Sequence, residues 1–165
     1  MQTAGRDPRF GDVDETTAAL LRFPGDRFAQ LTASQGSQDV DAYRIVGTEG
    51  DLLVEPAYTY SGVRKHYLSI GGDTTVESFP DVDQFAPELM HFTACILEDS
   101  EPEPSGEEGL ADVRVLEAIA ESARTARPVA LAPFARARRP SLELEESAPR
   151  TERSARVVRA PSPSR

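Results

Sequence analysis

The sequence predicts an α+β fold: an open, mostly antiparallel or mixed sheet of about six strands, with two C-terminal helices packed on one face and an extended tail. Three observations carry this prediction. Short segments of alternating apolar and polar residues, separated by turn residues, fill the chain to about residue 80. Two segments with a 3.6-residue apolar period follow, and no regular apolar pattern continues beyond about residue 132. The length of 165 residues suits one ordinary domain.

The composition divides the chain into three parts. Residues 1–14 are rich in glycine, proline and charge and are predicted to form an N-terminal loop, and residues 15–132 form the domain. Residues 133–165 repeat arginine, proline and serine with few large apolar side chains. Such a segment buries too little surface to offset its ordering entropy, so we expect it to be disordered or bound to a partner.

The first pair of strands is predicted on either side of Pro24-Gly25. Residues 17, 19, 21 and 23 share one face of the first strand, and residues 29, 31 and 33 share one face of the second, opposite the polar residues 30, 32 and 34. Proline favours the second position of a type II turn, and glycine accepts the positive φ of the third. These features predict a hairpin.

Two further strand pairs follow along the chain. The segments AYRIVG and LLVE flank the turn at residues 48–51, and Pro56 ends the second of them. Residues 64–70 and 74–79 flank Gly71-Gly72, a pair that tolerates the left-handed backbone of a primed hairpin turn.

The apolar period then becomes helical. Phe85, Leu89, Phe92 and Ile96 fall on one stripe of a helix over residues 84–98. A second helix is predicted from a Ser105–Glu108 capping box to about residue 126, with an apolar face of Val113, Leu116, Ile119, Ala120 and Ala123. Asp112 falls within that face, so it either interacts with the helix dipole or forms a docking salt bridge. A final edge strand is predicted over residues 129–131.

The charge distribution bears on the class of partner. The net charge is −10, yet residues 136–165 hold eight arginines and four glutamates, so the acidity is concentrated before them. An acidic body disfavours nucleic acid, whose binding needs a basic surface. No apolar run reaches the ~20 residues that cross a bilayer, so we expect no membrane contact. The lone Cys95 and the absence of a visible secretory signal favour a cytoplasmic protein.

Motifs that would carry chemistry are absent from the sequence. There is no GxGxxG after a strand, no GxxxxGK[ST], and no histidine–carboxylate cluster with metal-ligand spacing. We therefore assign no catalytic, cofactor-binding or metal-binding residue, and we expect this chain alone to bind no cofactor.

Four residues are candidates for contact with a substrate or a partner. His91 lies beside the apolar stripe of the first helix, where it either serves a cleft or interface or is simply solvated. Gln30, Thr32 and Ser34 form a polar row on one strand face. That row suits sugar hydroxyls, although a solvated sheet face explains it equally well.

Several stretches of this chain resemble one enzyme family. They are ETTAALLRFPGDRFAQLTAS, YRIVGTEGDLLVEPAY and DQFAPELMHFTACILEDSEPEPSGEEGLADVRVLEAIAESARTARPVAL. Together they are similar to the C-terminal domain of the glucose-fructose oxidoreductase, inositol dehydrogenase and rhizopine-catabolism (Gfo/Idh/MocA) oxidoreductases. The resemblance covers roughly residues 10–131.

The resemblance implies a two-domain enzyme whose N-terminal Rossmann domain holds NAD(P). The C-terminal domain then closes the sugar pocket and supplies a broad sheet for subunit association. The family's glycine-rich loop, catalytic lysine segment and histidine- or tyrosine-bearing helix all precede the matching region, and Lys65 fits none of them. We therefore expect a truncated or split sugar oxidoreductase that needs a Rossmann-domain partner. The alternative is a free-standing, non-catalytic module that forms a homo-oligomer, most simply a dimer, through its exposed sheet face.

Overall fold

The computed structural model describes residues 2–4, 8–135, 140–145 and 148–149. It confirms the α+β class, with two α-helices and mostly antiparallel sheets. The elements are β1 (Gln2–Ala4), β2 (Asp14–Phe23), β3 (Arg27–Ser34), β4 (Tyr43–Val46), β5 (Gly50–Val54), β6 (Arg64–Ile70), β7 (Asp73–Phe79), β8 (Val82–Asp83), α1 (Phe85–Glu98), α2 (Gly106–Thr125), a 3-10 helix (Leu142–Leu144) and β9 (Ala148–Pro149). The expected tail lies mostly outside the described residues.

The chain divides into two compact units. Unit one contains residues 1–40 and 101–142, and unit two contains residues 41–100 and 143–165. The strands are distributed accordingly, in a sheet of three, a sheet of four and the short pair β8–β9.

The sheet of unit one has the order β1-β2-β3, with antiparallel neighbours. β1 lies within the segment expected to be an N-terminal loop. The predicted hairpin of β2 and β3 is confirmed, with a register that runs from Thr16 opposite Ser34 to Phe23 opposite Arg27. Gly25 takes the positive φ of 75° that the turn requires.

The second helix begins where the sequence predicts, but its first turn is built differently. Ser105 is the N-cap residue, and its side chain makes no capping hydrogen bond. The Ser105 carbonyl instead accepts from the Glu108 N–H at 3.1 Å. Asp112 is exposed, which fits the helix-dipole alternative better than a buried docking salt bridge, and the helix turns a face that includes Ala111, Val115 and Ala118 inward.

The segment after α2 is not a strand, contrary to the prediction for residues 129–131. Arg114 of α2 holds it instead. The guanidinium group donates a hydrogen bond to the Ala132 carbonyl at 3.0 Å and lies 4.9 Å from the centre of the Phe134 ring. These two contacts of Arg114 attach the segment after α2 to the helix.

The sheet of unit two has the order β4-β5-β6-β7, and all its neighbours are antiparallel. Gly71 and Gly72 have φ values of 61° and 95°, which confirms the predicted β6–β7 turn. Gly50 permits a close approach of β5 to β6, because a Cβ at this position would collide with the Ser69 carbonyl oxygen. Any side chain at Gly50 would force the two strands apart.

Helix α1 of unit two begins at a carboxylate. One oxygen of Asp83 accepts from the backbone N–H groups of Phe85 and Ala86 at 2.9 and 3.0 Å. These bonds satisfy two of the donors that a helix start leaves unpaired.

Among the described residues, Cys95 of this helix and Val54 of β5 are the only buried apolar residues. Neither helix of the described part of the chain is long and apolar enough to span a membrane.

Candidate functional site

The connection between β5 and β6, residues 55–63, is an exposed aromatic segment of unit two; we name it the tyrosine loop. Asp41, just before β4, fixes its first half. One Asp41 carboxylate oxygen accepts from the backbone N–H groups of Ala57 (3.0 Å) and Tyr58 (2.5 Å). The Asp41 carbonyl also accepts from the Ala57 N–H at 3.1 Å. Hydrogen bonds to a charged acceptor are about twice as strong as neutral ones, so the Asp41 carboxylate holds the backbone of Ala57 and Tyr58 in place.

A second anchor fixes the middle of the tyrosine loop at Thr59. Its carbonyl oxygen accepts from the Arg64 guanidinium at 2.7 Å and from the Gln84 side-chain amide at 3.4 Å. Its hydroxyl donates to the Ser61 carbonyl at 3.0 Å. The loop is thus held by β6, by the start of α1 and by its own turn, and its backbone is positioned without help from the tyrosine side chains.

The tyrosine side chains project from this fixed backbone into solvent. Tyr58 and Tyr60 are each 70% exposed. Each has a neighbouring ring: the ring centre of Tyr58 lies 6.0 Å from that of Tyr43, and the ring centre of Tyr60 lies 5.5 Å from that of Phe85, with interplanar angles of 49° and 45°. These tilted contacts steady each ring and leave much of its surface open.

The arrangement suits recognition of a small polar ligand with apolar faces. An open tyrosine ring offers an apolar surface and a hydroxyl that donates or accepts. Binding sites of this kind combine aromatic contact area with a few well-placed polar groups on a rigid scaffold. A sugar ring, apolar on its C–H face and polar at its edge, has the complementary chemistry.

The sequence-predicted row of Gln30, Thr32 and Ser34 lies on one face of β3 in unit one, as its alternation predicts. Across the strand pair it faces Leu20, Ala18 and Thr16, in the same order. The Ser34 hydroxyl is 2.7 Å from that of Thr16, whereas Gln30 and Thr32 are exposed. The row therefore offers two open side chains, and a sugar-binding role for it stays a prediction.

His91 belongs to unit two and lies on α1, half-buried. Its Nε2 atom is 3.6 Å from the Cys95 sulfur, one helical turn further on. The described residues contain no group of three or more potential metal ligands. A role for His91 at a cleft or interface stays a prediction.

Sequence reasoning missed Tyr58 and Tyr60. The available signal is a Tyr-Thr-Tyr segment between Pro56 and Gly62. Connecting segments usually carry small polar residues, so two large rings separated by one residue in such a segment indicate recognition rather than packing.

The described residues do not fit a dinucleotide. Every strand pair is antiparallel, so no parallel β-α-β unit is present among them. The N-terminal amides of α1 are occupied by Asp83, and the first turn of α2 carries Glu107 and Glu108, which would repel a pyrophosphate.

Comparison with known proteins gives consistent matches. Residues 1–131 match the model of an oxidoreductase family's C-terminal alpha/beta domain, the Gfo/Idh/MocA type. The chain is 38% identical over 123 residues to D-xylose 1-dehydrogenase [NADP(+)] of Haloarcula marismortui, a match that covers 74% of this chain and 34% of the relative. It is 27% identical over 127 residues to D-xylose 1-dehydrogenase (NADP(+)) 2 of Haloferax volcanii, covering 76% of this chain and 39% of the relative.

A solved structure shows the same fold. The aldose-aldose oxidoreductase of Caulobacter crescentus, in complex with glycerol, superposes with a TM-score of 0.70 at 35% identity. The match covers 79% of this chain and 39% of that one. The chain therefore spans between a third and two fifths of the length of the relatives it matches.

Proposed function

The chain belongs to the Gfo/Idh/MocA oxidoreductase family, as its C-terminal α/β domain, and we propose that it forms the sugar-contacting and subunit-association part of an NAD(P)-dependent sugar oxidoreductase. The tyrosine loop is the single observation that carries the sugar-contacting role. Relatives named as D-xylose dehydrogenases and an aldose-aldose oxidoreductase support an aldose as the substrate class.

In this proposal the chain is not catalytic by itself. Its described residues do not fit a dinucleotide, and most of the length of its relatives has no counterpart in it. The tyrosine rings hold the sugar and exclude water from one side of it, while the cofactor and the general base belong to the unmatched part. Orientation and exclusion of water are the contributions that such a wall makes to catalysis.

The association role rests on the sheet of unit two. Its register places Arg44, Leu53, Tyr67 and Val76 side by side across the four strands. Val76 is 55% exposed, and Arg44 pairs with Asp51 of the neighbouring strand at 2.8 Å. A face with apolar side chains and charges of both signs can pair with its own copy about a two-fold axis.

The sugar-contacting role is tested by titrating D-xylose into the ¹⁵N-labelled chain and following the amide resonances. We expect shifts at residues 57–61 that disappear in Tyr58→Ala and persist in Tyr58→Phe. The double variant Gln30→Ala/Thr32→Ala in unit one tests the other candidate, the polar row of β3, and loss of binding in that variant alone would place the sugar on β3 instead. Shifts confined to β3, or no shifts in the tyrosine loop, would contradict the proposal.

The association role is tested separately by light scattering. A dimer that dissociates in Val76→Lys is expected. A parent chain that stays monomeric at tens of micromolar would remove the association role. Self-association without any sugar binding would favour the alternative, a free-standing non-catalytic dimerisation module.

A further inference from the structure

Within the described residues, the C-terminal tail contributes the short strand β9 to unit two. β9 runs antiparallel to β8, with Val82 opposite Pro149 and Asp83 opposite Ala148. Because proline has no N–H to donate, the hydrogen-bonded pair of this ladder is Asp83 with Ala148. β8 pairs with no other strand of the described part of the chain. The backbone of Asp83 is therefore held by the tail.

The side chain of Asp83 holds the first turn of α1. Its carboxylate accepts from the backbone N–H groups of Phe85 and Ala86 at 2.9 and 3.0 Å. Gln84, the N-cap residue, makes no side-chain capping hydrogen bond, so Asp83 supplies the cap in its place. Asp83 thus joins the tail, through its backbone, to the start of α1, through its carboxylate.

The start of α1 in turn contacts the tyrosine loop. The Gln84 side-chain amide donates to the Thr59 carbonyl at 3.4 Å, and the ring centre of Phe85 lies 5.5 Å from that of Tyr60. Gln84 and Phe85 directly follow Asp83 in the chain, so a displacement of Asp83 reaches both contacts. A continuous series of contacts therefore runs from β9 through Asp83 to the Tyr60 side of the candidate site.

The first half of the tyrosine loop is anchored independently of this series. Its backbone N–H groups bond to the carboxylate of Asp41, just before β4. Thr59 also has a second donor, the Arg64 guanidinium. An effect of the tail on the loop is therefore expected to be partial and to be confined to residues 59–60.

We propose that β9 is a positioning strap: its pairing with β8 fixes Asp83 and thereby places the Tyr60 ring of the candidate site. The inference rests on the proposed function, since it concerns the same site, and it adds the C-terminal tail to the elements that build that site. A ladder with one hydrogen-bonded pair is a weak attachment. The strap therefore adjusts the position of Tyr60 and is not needed for unit two to fold.

The test compares two proline substitutions in the full ¹⁵N-labelled chain. Ala148→Pro removes the N–H that pairs with Asp83. Ala160→Pro is the matched control, because it makes the same substitution in the same tail but beyond β9. Amide hydrogen exchange and chemical shifts are measured without ligand, and D-xylose is then titrated into the parent chain and each variant.

We expect Ala148→Pro to speed amide exchange at Phe85 and Ala86, since the residue that caps them loses its backbone partner. The resonances of residues 59–60 should shift, while those of residues 57–58 should stay as in the parent chain. The affinity for D-xylose should fall about two- to tenfold, the fold-change that corresponds to one typical hydrogen bond. Ala160→Pro should match the parent chain in every measurement.

A second variant tests the connection between β8 and the tyrosine loop. Gln84→Ala removes the side-chain bond to Thr59 and leaves the pairing of β8 with β9 in place. In the Gln84→Ala background, Ala148→Pro should therefore shift the resonances of residues 59–60 less than it does in the parent chain. The double-mutant cycle measures this coupling, and full additivity of the two changes would overturn the proposal.

Four further outcomes would overturn the proposal. They are unchanged exchange at Phe85 and Ala86 in Ala148→Pro, equal changes in both proline variants, changes spread over all of unit two with a lower urea midpoint, and an unchanged affinity in Ala148→Pro when the parent chain binds D-xylose. The proposed function fails separately. If Ala148→Pro alters Phe85, Ala86 and residues 59–60 but D-xylose binds neither the parent nor the variant, the strap stands and the sugar-contacting role falls.

Discussion

The Asp41 carboxylate accepts a hydrogen bond from the backbone N–H of Tyr58, seventeen residues further along the chain. This bond joins the start of β4 to the tyrosine loop and sets where the Tyr58 ring emerges. The same oxygen serves Ala57, so a single side chain positions two consecutive residues of the candidate site.

Replacement of Asp41 is therefore expected to loosen the tyrosine loop. Asp41→Ala leaves the two N–H groups without the carboxylate and should cost about 1–3 kcal/mol of unfolding free energy. Asp41→Asn retains an oxygen and should cost less. Amide hydrogen exchange of Ala57 and Tyr58 checks this directly, and unchanged exchange rates in the alanine variant would contradict the positioning role.

Gly50 should tolerate no side chain. A methyl group at this position would overlap the Ser69 carbonyl oxygen, a backbone atom that cannot rotate away. We expect Gly50→Ala to destabilise the chain by about 1–3 kcal/mol in urea unfolding, the range typical of overpacking.

Gly47 of the same turn is the control for Gly50. A Cβ at Gly47 would meet its nearest atom, the Gly50 carbonyl oxygen, at an ordinary 3.5 Å. Gly47→Ala should therefore unfold close to the parent midpoint. Equal destabilisation by both substitutions would show that the close approach of β5 and β6 is not the cause.

Arg114 should hold the segment after α2. Arg114→Ala removes the hydrogen bond to Ala132 and the ring contact with Phe134, so peptides over residues 129–135 should exchange their amide hydrogens faster. Arg124→Ala is the control, because that exposed side chain pairs within α2, with Glu121. Identical exchange in both variants would mean that Arg114 does not hold the segment.

Cys95 should react slowly in the folded chain. It is 7% exposed and its sulfur lies beside His91, so a thiol reagent needs a local opening of α1 to reach it. Alkylation by iodoacetamide is expected to be at least about tenfold slower in buffer than in denaturing urea, which mass spectrometry measures. Comparable rates would show that the helix does not cover the thiol.

The features that sequence predicts well are local. The β2–β3 and β6–β7 hairpins follow from Gly25 and from Gly71-Gly72, because their positive φ values depend only on neighbouring residues. The family resemblance, too, rests on contiguous segments that include the turn at residues 47–50.

The features that sequence could not predict depend on distant contacts. Periodicity locates the apolar stripe of α1, but whether a stripe is covered depends on what lies opposite it, and Leu89 remains 65% exposed. The tyrosine loop depends on Asp41, which no local pattern connects to Tyr58. The same holds for Asp112, whose exposure follows from the face that α2 turns inward.

The position of β3 at the edge of its sheet has a practical consequence. Within the described part of the chain β3 pairs only with β2, and its residues from Phe28 to Ser34 include neither a charge nor a proline. Such an edge is a template onto which further strands can add, and natural proteins usually block it. Fibrils of this chain at high concentration would start at β3. Leu31→Lys or Ala33→Lys should therefore prevent fibril formation in stored solutions of the protein.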